Sequence, residues 1–155
     1  MKTDDPAVRD ILQRSMTARI ATLSRGGRPS ITPIYFVYLN GHIWLGTSSW
    51  TLAARDVKAD PRVRILFEVE RRPQDHRILR MTGRAYVRTD PQALRSYNIH
   101  VLFKYSLTPG GISNNLAHVG LLSLMRRYHA QSREKGQPCI IDVTSEQAEF
   151  LVDPS

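Results

Sequence analysis

The stretch TPIYFVYLNGHIWLGT, residues 32–47, sets two apolar runs on either side of Asn40-Gly41. Asn-Gly tolerates positive φ at both central positions of a two-residue turn, so the pair predicts a tight hairpin between antiparallel strands. The strands are expected over 30–39 and 42–47. Pro33 removes one ladder donor from the first of them, which points to an edge, a bulge or a ligand at that position. A second hairpin is expected just upstream, from RIATLS (19–24) through the glycine pair of RGGR (25–28).

Alternation of basic and apolar residues extends the pattern. RVRILFEVE (62–70) and ILRMTGRAYVRT (78–89) read as half-buried strands joined by a polar turn over 71–77, with Gly83 marking a bend or bulge. PCIIDVT (138–144) is the last expected strand. Antiparallel strands on short connections favour a barrel, because closure removes exposed edges. Helices are expected from the Asp4-Asp5-Pro6 start to near Met16, over 50–59 up to Asp60-Pro61, from Asp90-Pro91 to about 103, and over 116–133. The chain therefore reads as one mainly β domain over 1–155 with flanking helices. It carries a helical insertion at about 91–135, whose loop LTPGGISNN (107–115) suits either a lid or part of a subunit contact.

The net charge is +8 and Lys occurs only at 2, 58, 104 and 135, so Arg carries most of the positive charge. The planar guanidinium fork fits phosphates and carboxylates. The arginines are spread along every segment, with no basic tail or aromatic-basic face, which argues against a nucleic-acid partner. No apolar run is long enough to span a bilayer, and the start MKTDDPAVRD lacks the basic and apolar blocks of a signal peptide. A cytoplasmic location and no membrane partner are the resulting expectations. Cys139 is the single cysteine and lies in an apolar run, as a buried small residue would.

The hydroxyl run Thr47-Ser48-Ser49 ends one strand where a helix is about to begin. Helix N-termini offer unpaired amides and the positive end of the dipole, so this seam is a candidate anion seat, with Arg55 one and a half turns further on. The plainer reading makes Ser48 or Ser49 an ordinary N-cap and Arg55 a solvated residue. No HExxH, cysteine pair or carboxylate cluster supports a metal site, and no Gly-x-Ser-x-Gly supports a hydrolase. His42 and His76 read as solvated. His118 and His129 stand too far apart to share a metal, and a lone axial haem ligand in the helical region is the least expected use of His100, His118 or His129.

The segments RIATLSRGGRPSITPIYFVYLNGHIWLGTSS, ADPRVRILFEV and ILRMTGRAYV, in this order, resemble the flavin-binding split-barrel proteins related to pyridoxamine 5'-phosphate oxidase and to the F420-dependent reductases. The resemblance implies a six-stranded antiparallel split barrel that forms homodimers, with FMN in grooves between subunits and F420 or haem in some branches. It implies that Thr32, Pro33, Ile34 and Tyr35 border the flavin ring, and that Thr47, Ser48, Ser49 and Arg55 meet the phosphate. Trp50 would cover the cofactor or a subunit seam, and Arg77 or Arg80 would reach it from the partner or serve as surface and inter-strand residues. Trp44 is expected inside the barrel. The family's phosphate-binding Lys and Asn positions hold Ala53 and Asp56, leaving Arg55 as the positive charge there. The expected function is an FMN-dependent oxidoreductase acting on a small molecule, with no catalytic side chain assigned. An F420-dependent reductase, or a non-catalytic flavin or haem carrier, is the alternative.

Overall fold

The computed structural model describes residues 5–69, 77–106 and 137–151. The expected turn over 71–77 except its last residue, the loop 107–115, the helix 116–133 and the histidines at 76, 118 and 129 lie outside the described residues.

Helix α1 (Pro6–Arg14) starts where Asp5 accepts a hydrogen bond from the Ala7 amide, with proline in its first turn. It buries Val8, Ile11 and Leu12, at helical spacing. Strand β1 (Thr17–Leu23) follows, two residues earlier than expected. It pairs along its whole length with β2 (Pro29–Leu39). Asn40 at φ 49° and Gly41 at φ 84° make the tight turn into β3 (His42–Ser48). Helix α2 (Leu52–Ala59) leads to β4 (Arg62–Glu68). After β5 (Ile78–Arg88) come α3 (Pro91–Ser106) and β6 (Pro138–Leu151).

The strands close in the order β1-β2-β3-β6-β5-β4, every described pairing antiparallel, which is the expected six-stranded barrel. Strand β6 runs seven residues beyond the expected end, to Leu151. A register shift opposite Thr82/Gly83 moves its inward positions from Val143 to Ala148, which breaks the period-two pattern that marks a strand in sequence. A side chain at Gly83 would collide with the Thr144 carbonyl, so the close backbone approach at this bulge needs glycine.

Inward side chains fill the barrel with Ile20, Phe36, Leu45, Ile65, Met81 and Val143, and Phe36 meets Phe67 with ring centroids 4.8 Å apart. Helix α1 sits at the end where β1 and β3 begin, and Ser15 Oγ donates to Glu68 O at 2.9 Å there. Helix α2 covers the opposite end, adding Ala53 and Val57 to the same core. A second cluster lies outside the barrel, where Ala93, Tyr97 and Val101 of α3 pack on Val37, Ile140 and the partly buried Trp44. The expectation that Trp44 lies inside the barrel is thus corrected. Asn40 and Gly41 set the register of β3 so that Ile43, Leu45 and Thr47 point inward, which leaves Trp44 on the outer face under α3.

Candidate functional site

Strands β2 and β3 are paired only over Phe36–Leu39 and His42–Leu45. Above that point β3 turns its ladder to β6 alone, while Pro29–Tyr35 of β2 keeps only β1. The barrel is split between two lips, one carrying Thr32, Pro33, Ile34 and Tyr35 and the other carrying Gly46, Thr47 and Ser48. This gives Pro33 its reason: a residue without an N–H is tolerated on a strand with one free edge. Ile34 is core, Thr32 is half-buried, and Pro33 and Tyr35 project outward.

Tyr97 of α3 spans the split. Its ring lies over Gly46, where any side chain would collide with it, and its hydroxyl donates to the Tyr35 carbonyl at 3.2 Å. The sequence reading missed this residue. Its signal was the spacing Ala93, Tyr97, Val101, which marks one helical face but not what that face meets.

At the end of the second lip the hydroxyl run is tied into the protein. Thr47 and Ser48 are buried. Thr47 Oγ1 lies 2.9 Å from Thr51 Oγ1, and Ser48 Oγ donates to the Gln137 carbonyl at 3.4 Å. Ser49, half-buried, donates its amide to Gln137 O and accepts the Gln137 amide on Oγ at 3.0 Å. The N-cap of α2 is Thr51, whose Oγ1 accepts from the Ala54 amide; neither Ser48 nor Ser49 caps the helix. The cap shifts because β3 continues through Ser48, which moves the helix start two residues past Trp50. The amides of Leu52 and Ala53, in the first turn, have no intrahelical acceptor. Arg55 is exposed on the same helix and has no carboxylate partner among the described residues. Trp50 is 49% exposed beside them.

Asp56, at the position where the resemblance expects Asn, turns inward instead. It is buried and accepts a hydrogen bond from Thr22 Oγ1 at 2.8 Å, which ties α2 to β1. Arg77 and Arg80 are held by carboxylates, Arg77 by Asp10 at 2.7 Å and Arg80 by Glu149 with Nε at 2.8 Å. Along β6, Ser48 stands opposite Pro138 and Arg80 opposite Glu149. The two positions lie at opposite ends of β6, and the Arg80 guanidinium is engaged by Glu149 rather than turned to the hydroxyl seam. His100 places Nδ1 2.7 Å from Ser96 O, and His42 places Nδ1 2.8 Å from Asp142 Oδ1. Among the described residues no group of three or more His, Cys, Asp or Glu stands ready for a metal.

A closed antiparallel barrel, split between its second and third strands and plugged by a short helix, defines a split-barrel class. The family model of pyridoxamine 5'-phosphate oxidase matches residues 4–151, and the chain belongs to that family. A comparison with curated proteins found no match. Among solved structures, a conserved hypothetical protein from Mycobacterium tuberculosis superposes with a TM-score of 0.70 at 19% identity, covering 98% of this chain and 91% of that one. An F420 reductase gives 0.62 at 18% identity, over 91% of this chain and 94% of its own. HutZ from Vibrio cholerae, described as a haem storage protein, gives 0.60 at 19% identity, over 98% and 95%. At these identities the likeness is one of fold.

Proposed function

We propose that the chain is an FMN-dependent oxidoreductase that works as a homodimer, with the cofactor bound along the split. The observation that carries this reading is the split itself, which ends at the first turn of α2. Its lips offer an apolar wall in the outward Pro33 and Tyr35, with Ile34 behind them in the core, and backbone groups along Thr32–Tyr35, as a flat ring with one polar edge requires. The seat at α2 offers the Leu52 and Ala53 amides, Ser49 and Arg55, donors suited to one phosphate monoester. Thr47 and Ser48 stand behind it as bracing, through Thr51 and Gln137. Trp50 flanks the seat, and Arg80 would reach such a cofactor only from a second protomer.

Bound FMN supplies the hydride or electron transfer, and the chain supplies position and polarity. Tyr97 holds the lips at a fixed spacing, and the apolar wall keeps water from one ring face. The substrate is a small molecule that reaches the open face of the split. F420 is the second reading, favoured by a fold neighbour that is an F420 reductase and by the excess of arginine.

The test is equilibrium titration with FMN, F420 and haem, followed by absorbance. FMN binding with a shifted visible band, and its reduction by a nicotinamide donor, is the expected result. Arg55→Ala should weaken FMN about tenfold or more, as the loss of a charge-assisted bond does. Absence of binding by either flavin overturns the reading, and an unchanged affinity in Arg55→Ala removes that residue from the seat.

A further inference from the structure

The two hairpin turns fix which way the backbone of β2 faces. The Asn40-Gly41 turn makes Leu39 and His42 a mutually bonded pair, and such pairs recur at every second residue of an antiparallel ladder. Odd-numbered residues of β2 therefore turn their N–H and C=O toward β3. The other hairpin gives the same answer. Ser24 N donates to Arg28 O at 2.9 Å, which turns Arg28 and the even-numbered residues after it toward β1. In the lip, where β3 has parted from β2, the backbone groups of Ile31, Pro33 and Tyr35 face the split, while those of Ser30, Thr32 and Ile34 serve the ladder with β1.

Two carbonyls at the split are already engaged. Tyr35 O accepts from the Tyr97 hydroxyl at 3.2 Å. On the facing lip, Ser48 O accepts from Thr51 N at 3.0 Å and from Thr51 Oγ1 at 2.8 Å. Gly46 lies under the Tyr97 ring. The Pro33 carbonyl has no donor among the described residues, and proline puts no N–H beside it. At Ile31 an N–H stands next to the carbonyl, so that part of the edge is of mixed character, whereas at Pro33 it is acceptor only. The exposed side chains of Pro33 and Tyr35 make the wall around it apolar. An acceptor set in an apolar wall suits a ligand that brings a donor to that point.

We propose that the Pro33 carbonyl accepts a hydrogen bond from an imide N–H on the edge of the bound ring, and so selects the ring system. This rests on the split being the cofactor's place, and names the group that reads the cofactor there. Isoalloxazine and deazaflavin rings each carry one imide N–H between two carbonyls. The rim of a porphyrin carries none, and its propionates would meet the Pro33 carbonyl as acceptor against acceptor. The lip thus favours FMN or F420 over haem. It does not separate FMN from F420, which share the imide, so that choice falls to the phosphate end of the site. Pro33 also keeps a peptide strand from adding to the same edge, because continuing the ladder there needs an N–H.

The test compares FMN with FMN methylated at the imide nitrogen, in equilibrium titrations of the full chain. The analogue keeps the phosphate and the ring and lacks only the imide proton. FMN should bind more tightly on the order of tenfold, since the analogue leaves the carbonyl unpaired and brings a methyl group against it. In carbon-13-labelled protein, the Pro33 carbonyl signal should move downfield with FMN and not with the analogue. Equal affinity for the two ligands, or a Pro33 signal that FMN does not move, overturns the proposal while leaving the cofactor reading standing. Haem that displaces FMN at equal concentration also overturns it. Binding of neither flavin overturns both.

Discussion

The Cys139 thiol lies opposite Thr47 in the β3–β6 ladder, and burial pushes it up to about 11, with Lys58 opposing. A neutral, buried thiol is a poor nucleophile, so the folded protein should resist iodoacetamide at pH 8 and react once unfolded. The same shift acts on stability. The unfolded chain loses this proton near the ordinary value of 9.0, whereas the folded chain keeps it to about 11. Folding therefore binds the extra proton across that window. The contribution is fully present below 9 and is lost as pH rises toward 11. Urea denaturation at intervals from pH 8 to 11 should show a decline that Cys139→Ala lessens; an equal decline in both would remove Cys139 as its source. At this scale the sequence reading served well for burial, since an apolar run around a lone cysteine already implies it. It served less well for partners. Three hydroxyls in a row do not say which one caps a helix, and Thr51 took that place only because β3 ran one residue further than its pattern showed.

At the scale of elements, α3 depends on one small residue in β3. Tyr97 fits over Gly46, and Ala93 and Val101 pack on either side of it along the helix. Gly46→Ala should cost about 1–3 kcal/mol through overpacking, read as a lower midpoint in urea at unchanged slope. Tyr97→Phe should cost less, since it keeps the ring over Gly46 and removes the hydroxyl that donates to Tyr35. A Gly46→Ala protein as stable as the parent would show that α3 does not hold this position. The N-terminus of α3 is fixed separately. Asp90 accepts from the Ala93 amide at 3.1 Å, and the Arg88 guanidinium beside it holds its carboxyl below the usual range. Arg88 also lies over the Trp44 ring, 5.2 Å from its centroid. The Asn40-Gly41 hairpin, the glycine turn at 25–28 and the alternation of β4 and β5 were readable because each is a local signal. Trp44 was misplaced because period two tells that successive side chains alternate, not which face is the inside once a helix covers the outside as well.

For the whole molecule, the outer face of β2 is the most exposed apolar row among the described strands. Ile31 is 66% exposed and Tyr35 50%, with Pro33 between them on the same face. Apolar side chains in such a row commonly mark an interaction surface. A homodimer closing over this face would also cover the open side of the split. Ile31→Asp should then shift the protein to monomer in light scattering and weaken FMN binding in parallel. A dimer that survives the substitution would place the subunit seam elsewhere.

Sequence alone determined the first five strands, the start of β6 and the two glycine hairpins, because hydrophobic period and turn chemistry act between residues a few positions apart. It also carried the family resemblance, through the order of those signals. Only the tertiary structure decided that the ladder parts between Tyr35 and Gly46, that Tyr97 bridges the gap, and that Asp56 turns inward to Thr22. Each of these depends on contacts between residues far apart in the chain, and the packing that selects them exists only once the barrel has closed.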